Sequence, residues 1–446
     1  MDGRERTPRD LSTMPPRSDP APSASQDAPI RNRGRRPGAP RRAGAPRTGG
    51  GWLAPFAPLF HKILDRIDRG LDEGAIELSL PDGGSRILGG RAPGPVAVVA
   101  ISRWNALLRL ATGGSAGWYE AWAAGEWSSP DPVPLFTLFM LNRHGLGNAG
   151  RASGWSRLLR RFAHRLHRND RKGSRRNIAY HYDLGNDFYA PWLDASMTYS
   201  SALFTGPDMT LEQAQAAKFE AIFARTATAP GDSILEIGSG WGPFAEIAAR
   251  HGVKVHGITL STEQREFAEA RMARAGLVGT RFTLTDYRDV TGTYDAVASV
   301  EMVEAVGREY WRDYLSAIAR ALKPGGRTAI QYISIDDDVF ESYANNVDFI
   351  QSYVFPGGLL LSEREFAAIA ASVGLTWRDQ KSFGPSYAET LRQWRERFDT
   401  AVAAGQLPAE FDQSFLALWR YYLMYCEGGF RGGGIDVSQV TLVKEG

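Results

Sequence analysis

The sequence predicts an α/β protein in which a doubly wound, mostly parallel sheet follows a small mixed α/β domain. Three observations carry this. Ile234–Ile237 reads as a short buried strand, and Gly238, Gly240 and Gly242 follow at alternate positions before the helical pattern Pro243–Arg250. Strand-like and helix-like stretches then alternate as far as Ile335, the pattern of parallel strands joined by crossover helices. The length, 446 residues with 43% hydrophobic side chains, allows two or three domains with a sizeable core.

Taken in order, residues 1–51 are rich in Pro, Gly, Ser, Ala and Arg and poor in large apolar side chains, so they are expected to form a disordered tail. The seven arginines from Arg31 to Arg47 have no acid among them. Such a tail is either simply solvated or attached electrostatically to anionic lipid or another polyanion. It lacks the aromatic interleaving that nucleic-acid binding would want. Residues 52–150 have a globular composition. Leu53–Ile67, Trp104–Leu110 and Pro134–Leu141 have helical spacing, Ala75–Leu80 and Pro95–Ile101 read as strands, and Trp118, Trp122 and Trp127 read as core. Residues 151–176 are expected to form a basic amphipathic linker helix. Arginines surround Leu158, Leu159, Phe162 and Leu166, which suits an anionic membrane interface or an apolar face docked on the protein itself.

Residues 177–446 read as the catalytic domain. Val253–Leu260, Arg281–Thr285, Tyr294–Val300 and Arg327–Ile335 are the further strands, and Ser261–Gly276 and Tyr310–Leu322 are helices. In such sheets ligands bind beyond the C-terminal strand ends where strand order reverses. The residues that fall there include Gly238–Gly242, Thr259, Asp286 and Val300.

The turn is G-x-G-x-G rather than the G-x-G-x-x-G of dinucleotide binders, and Glu236 stands two residues before its first glycine. It resembles the nucleotide-binding turn of S-adenosylmethionine (SAM) methyltransferases. The second strand ends Gly257-Ile-Thr-Leu-Ser261 without the acid that would hold ribose hydroxyls, so Thr259, Ser261 and Gln264 would supply the polar contacts. Tyr287, after the third strand, offers a flat face for an adenine. Cys426 is the sole cysteine, which excludes an intrachain disulfide and a Cys-rich metal site, and no metal is expected. No signal peptide is expected, because the Arg/Pro-rich start lacks an apolar segment, and the longest apolar run near the start, Val96–Ile101, is too short to span a bilayer.

Six further strings widen the resemblance. They are Ile178-Ala-Tyr-His-Tyr-Asp-Leu-Gly-Asn-Asp-Phe-Tyr189, Met197–Phe204, Ser299-Val-Glu-Met-Val-Glu-Ala-Val-Gly307, Asp348–Gly358, Phe383–Leu391 and Trp419–Arg431. Together they resemble the cyclopropane-fatty-acyl-phospholipid synthase family over about Trp118 to Gln439, leaving the tail uncovered.

That resemblance implies a methyltransferase fold of Rossmann-like topology and transfer of a methylene group from SAM to the cis double bond of a phospholipid acyl chain. The chemistry needs alignment of a weakly nucleophilic alkene, a dry tunnel around a carbocation, aromatic faces and a base. The family's base is a bicarbonate ion. Glu304 and Tyr387 match its bicarbonate-holding Glu and Tyr, and Ile333 matches a backbone contributor. Ser201 stands where well-studied relatives have Cys, and Gln331 where many have His. Cys426 matches a C-terminal Cys often assigned to the family's active site, or is a small residue lining the tunnel. For SAM the family pattern carries to Tyr199, Ser200, Glu236, Gly238, Gly240, Gly242, Thr259, Gln264, Tyr287 and Arg288, with His181 and Tyr182 closing over it.

Three of these residues have a plainer explanation: Glu304 as a helix N-terminal acid, Tyr387 as a core tyrosine, His181 as a satisfied structural histidine. The departures at Ser201 and Gln331 leave ring closure open, because proton loss from a different carbon would leave a methyl- or methylene-branched chain. The same fold would also suit a small-amine N-methyltransferase or a catalytically silent lipid- or SAM-binding protein. The expected setting is cytoplasmic, peripheral on the inner face of the cytoplasmic membrane. The expected partners are an unsaturated phospholipid and an anionic lipid surface, and a homodimer would present two docking surfaces.

Overall fold

A computed structural model describes residues 53–147 and 184–446. The tail, the basic linker helix and the residues His181 and Tyr182 lie outside the described residues.

The N-terminal unit is a four-stranded sheet of β1 (Glu73–Ser79), β2 (Ser85–Gly89), β3 (Ala92–Ile101) and β4 (Trp127–Ser128), in the order β2-β1-β3-β4. Strand β2 is an addition to the two strands expected here. The Asp82-Gly83-Gly84 turn closes a hairpin, with Gly83 at φ 86°, so the chain reverses at once rather than crossing to the next strand. The helix Asn105–Ala123 runs well past Leu110, bent at Gly114 (φ 59°, ψ −143°). Trp118 and Trp127 are buried and stacked at 4.5 Å, and Trp127 Nε1 donates to Trp118 O at 2.9 Å.

The large sheet has seven strands: β5 (Ser233–Ile237), β6 (Lys254–Thr259), β7 (Thr280–Leu284), β8 (Tyr294–Val300), β9 (Leu322–Ile335), β10 (Leu375–Ser382) and β11 (Ile435–Lys444). Their order is β10-β11-β9-β8-β5-β6-β7. The strands β5 to β9 pair in parallel, while β11 runs antiparallel to both β9 and β10. Strand β9 begins at Leu322, ahead of the expected turn at Lys323–Gly326, with a register shift opposite Tyr294–Ala296. From β5 the chain builds one way through β6 and β7 and then returns to β8 on the other side. The glycine turn after β5 therefore lies at the point where strand order reverses.

The two sheets are joined through the C-terminal helix Gln413–Arg431. A Cβ on Gly428 would lie 2.4 Å from Phe136 Cβ, and one on Gly432 would lie 2.6 Å from Met140 Cβ. These two glycines, four apart, let the helix Val133–Leu141 pack directly against the backbone at the end of the C-terminal helix. Across the same junction, Arg143 donates to Asp336 Oδ2 at 2.7 and 3.1 Å.

Candidate active site

The glycine turn fits an adenosyl co-substrate. Gly238, Gly240 and Gly242 have φ of 82°, 50° and 83°, a backbone that side chains strain to adopt. Two buried polar atoms here lack a partner, Glu236 Oε2 and Ser239 Oγ. Burial holds the Glu236 carboxyl well above the usual range. A cationic ligand group beside it would satisfy that oxygen. On the other side, Thr259 Oγ1 donates to Gln264 Oε1 at 2.9 Å, and Ser261 caps the helix Thr262–Arg274 by accepting from Gln264 N. Arg288 is held on Asp286 through Nε at 2.8 Å and Nη2 at 2.6 Å, with its guanidinium 5.2 Å from the Tyr287 ring centre.

A cavity of about 390 Å³ opens between the two sheets. The small unit contributes Leu110, Trp118, Phe136 and Met140 to its wall, and the catalytic domain contributes Ile333, Leu359 and Tyr422, among others. Tyr199 belongs to this wall; its hydroxyl donates to Tyr422 Oη at 2.9 Å. Ser200 is buried, and its Oγ accepts from Lys218 Nζ at 2.6 Å. Cys426 also lines the cavity, where burial and the Asp348 carboxylate push its thiol up. It is therefore a protonated wall residue rather than a thiolate nucleophile.

Two carboxyls reach this cavity from the loop after β8, Glu301 and Glu304. Glu304 Oε1 accepts the Ile333 backbone N–H, while Glu304 Oε2 is buried without a partner. Burial, and then the charge of Glu301, raise the Glu304 carboxyl to about 8, so it is protonated at neutral pH.

Glu301 is not among the residues that the sequence points to, yet the expected anion-holding groups converge on it. Its Oε1 accepts from Ser201 N at 2.8 Å and Gln331 Nε2 at 2.7 Å, and its Oε2 accepts from Tyr387 Oη at 2.7 Å. Ser201 Oγ is turned away and donates to Ala202 O at 2.9 Å. Burial raises the Glu301 carboxyl, and Lys218, Tyr387, Gln331 and Ser201 N offset part of that rise. Lys218 is fully buried, and desolvation lowers its ammonium to about 7. Gln331 is oriented in turn by its cross-strand neighbour: Gln439 Nε2 donates to Gln331 Oε1 at 3.0 Å. The donors that were expected to hold a bicarbonate ion are thus taken by a carboxylate of the chain itself, and the site as built does not fit that added ion. The glycine turn is adjacent, since a Cβ on Gly238 would lie 2.9 Å from Met302 Cγ, in the loop between the two acids.

Residues 169–440 match the family described as mycolic acid cyclopropane synthetase. The chain belongs to this family. It is 41% identical over 358 residues to a tuberculostearic acid methyltransferase of Mycobacterium tuberculosis, covering 78% of this chain and 83% of that protein. It is 37% identical over 267 residues to the cyclopropane-fatty-acyl-phospholipid synthase of Escherichia coli, covering 59% of this chain and 66% of that one. Among solved structures it is similar to a mycolic acid cyclopropane synthase complexed with SAH and CTAB. The TM-score there is 0.58 at 30% identity, covering 60% of this chain and 98% of the other. SAM is accordingly the co-substrate, and the family acts on lipid chains. Among the described residues no helix is long and apolar enough to cross a membrane, and no group of three His, Cys, Asp or Glu could hold a metal ion.

Proposed function

We propose that the protein methylates the cis double bond of a phospholipid-borne acyl chain, giving a branched chain heavier by one CH2. The observation that carries this is the mostly apolar cavity of about 390 Å³ whose wall includes Glu301 and Glu304, beside the glycine turn. SAM, when bound at that turn, supplies an electrophilic methyl group. The cavity wall holds the acyl chain in line and keeps water from the cation that follows, and Tyr387, Tyr422 and Phe430 present aromatic surface to it. A bicarbonate base would find its donors occupied, because Ser201 N, Gln331 and Tyr387 are already engaged by Glu301.

The branched product is favoured by the relative at 41% identity, which matches the longer stretch and is named a methyltransferase. The second reading, cyclopropane formation, is favoured by the synthase at 37% identity. The two products are isomers. They differ in whether a hydride migrates to the cation before the proton leaves or the ring closes directly. Docking on a lipid surface is supported by Ile87, Val96 and Val98, exposed at 69%, 52% and 47% on the small sheet.

The test is product analysis after incubation with SAM and cis-unsaturated phospholipid vesicles. Branched-methyl or exomethylene proton signals support the first reading. Upfield ring protons with loss of the olefinic signal move the assignment to cyclopropanation. No gain of mass on any acyl chain refutes both.

A further inference from the structure

We propose that Glu301 is the general base of this reaction, built into the chain at the place where an added anion would otherwise sit; this rests on the reading of the protein as an acyl-chain methyltransferase. Four features of the geometry point there. The carboxylate lies in the cavity wall, where the reacting carbons must pass. Both of its oxygens are fixed, one by Ser201 N and Gln331 Nε2 and the other by Tyr387 Oη. Glu301 takes a backbone φ of 47°, a conformation that side chains rarely adopt. That strain is held by the Glu301 N–H donating to Gln331 O at 2.8 Å, next to the side chain that also binds its carboxylate. A helix-capping or surface role would explain none of these.

The neighbours divide labour between the two acids. Glu304 receives one backbone donor, whereas Glu301 receives three donors and faces the buried Lys218 ammonium. Glu301 is therefore the member of the pair whose surroundings favour the carboxylate, and Glu304 the one kept protonated. The remaining charged neighbour of the pair, Asp194, acts on Lys218. Tyr387 is pushed well up by burial and by the Glu301 charge, so it stays a donor and does not compete for the proton.

The alkene pair forms a C–C bond to the transferred methyl carbon as the C–S bond breaks with its pair on sulfur, leaving a thioether. The second alkene carbon becomes cationic. Glu301 takes a proton from the transferred carbon. The released C–H pair either closes a ring onto the cation or, after a hydride shift, forms an exocyclic C=CH2. The proton rests on Glu301 until the product leaves and solvent re-enters. A saturated methyl branch would need a separate hydride donor, which this step does not include.

The experiment uses the full chain in three forms: wild type, Glu301→Gln and Glu301→Gly. Glycine at this position also relieves the positive φ, so it separates loss of the base from loss of the fold. Wild-type turnover on unsaturated vesicles is expected to be the same in carbonate-free buffer and in added bicarbonate. Glu301→Gln is expected to lose about a hundredfold or more in kcat while binding SAM as wild type does. Glu301→Gly is expected to regain at least tenfold on addition of bicarbonate or formate, which would occupy the vacated donors. A binding readout accompanies the rates: line-broadening of 13C-bicarbonate by Glu301→Gly and none by wild type. Wild-type activity that depends on bicarbonate, or wild type that broadens the label as the glycine variant does, overturns the base role and leaves the methyltransferase reading standing. Full activity in Glu301→Gln does the same. Absence of any methylated lipid from wild type overturns both.

Discussion

Replacing Lys218 with methionine removes a charge and nearly keeps the bulk, and it tests how the Glu301 carboxylate is held. Lys218 is fully buried on the helix Leu211–Thr226, with Nζ 4.0 Å from the Phe219 ring centre and donating to Ser200 Oγ at 2.6 Å. Burial lowers the ammonium to about 7, and attraction to Glu301 and then Asp194 opposes that fall. The same attraction opposes the rise that burial imposes on the Glu301 carboxyl. A nearby opposite charge shifts a carboxyl's ionisation by about ten- to a thousandfold, at about 1.4 kcal/mol for each tenfold step. The base works only as carboxylate, and loss of Lys218 raises its proton affinity further. The rate at neutral pH is therefore expected to fall, by no more than the size of that shift, and to climb as pH rises. Wild type reaches its plateau at lower pH. The two profiles converge at alkaline pH, where the wild-type ammonium is itself lost. Initial rates of SAM-dependent methylation of vesicle lipid, measured from about pH 6 to 9 with SAM affinity alongside, read this out. A loss of equal size at every pH would mean that Lys218 only packs. An unchanged rate would refute the claim that its charge holds Glu301 ready.

Three further outcomes follow from the same geometry. Glu304, at about 8 when folded and near 4.5 when unfolded, binds a proton on folding between those values, so its contribution to stability falls as pH rises through that window, by about 1.4 kcal/mol per unit. Glu304→Gln is expected to flatten this slope in thermal melts, and an unaltered slope would place the proton elsewhere. Gly428→Ala sets a methyl 2.4 Å from Phe136 Cβ and 2.9 Å from Val133 O, and is expected to cost about 1–3 kcal/mol in denaturant unfolding. Adding Phe136→Gly, which removes the Cβ in contact, should make the joint cost less than additive, whereas simple additivity would show that the two sites do not touch. Glu236→Gln leaves the buried position polar but removes the group that could ionise beside a cationic ligand, and is expected to weaken SAM about tenfold in calorimetry; equal affinity would remove Glu236 from the co-substrate site.

The parallel half of the large sheet is legible in the sequence because each strand there is a short apolar run bounded by a helix with its own periodicity. The glycine turn is legible because its spacing is a backbone requirement. The antiparallel half is not. Strand β10 carries Arg378, Asp379, Gln380 and Lys381 on an open edge, and β11 alternates Ser438, Gln439 and Thr441 with valines, so neither reads as a buried run. The site is half legible. Tyr387, Gln331, Ser201 and Ile333 are expected in one constellation, and all four do meet there, but around Glu301 and Glu304 rather than around an added ion. The signal for Glu301 is present in the string Ser299-Val-Glu-Met-Val-Glu304, where an acid directly follows a parallel strand at the edge that binds ligands. The second acid of that string matches a family position and the first does not, so only the structure brings Glu301 forward.

The antiparallel strand β11 explains why this sheet can hold a carboxylate so firmly beside an apolar cavity. Gln331 lies at the C-terminal end of the parallel strand β9, and an amide there could point either group at Glu301. Its cross-strand partner decides the matter, because Gln439 Nε2 takes up Gln331 Oε1 and leaves Gln331 Nε2 for the carboxylate. Gln439 is held from its other side by Arg225 Nε at 3.3 Å, and Arg225 Nη1 also donates to Asp379 O and Thr441 Oγ1. A chain of oriented dipoles thus runs from β10 across β11 and β9 to the carboxylate. The antiparallel addition to an otherwise parallel sheet is the part of the fold that points a donor at Glu301 and keeps it there.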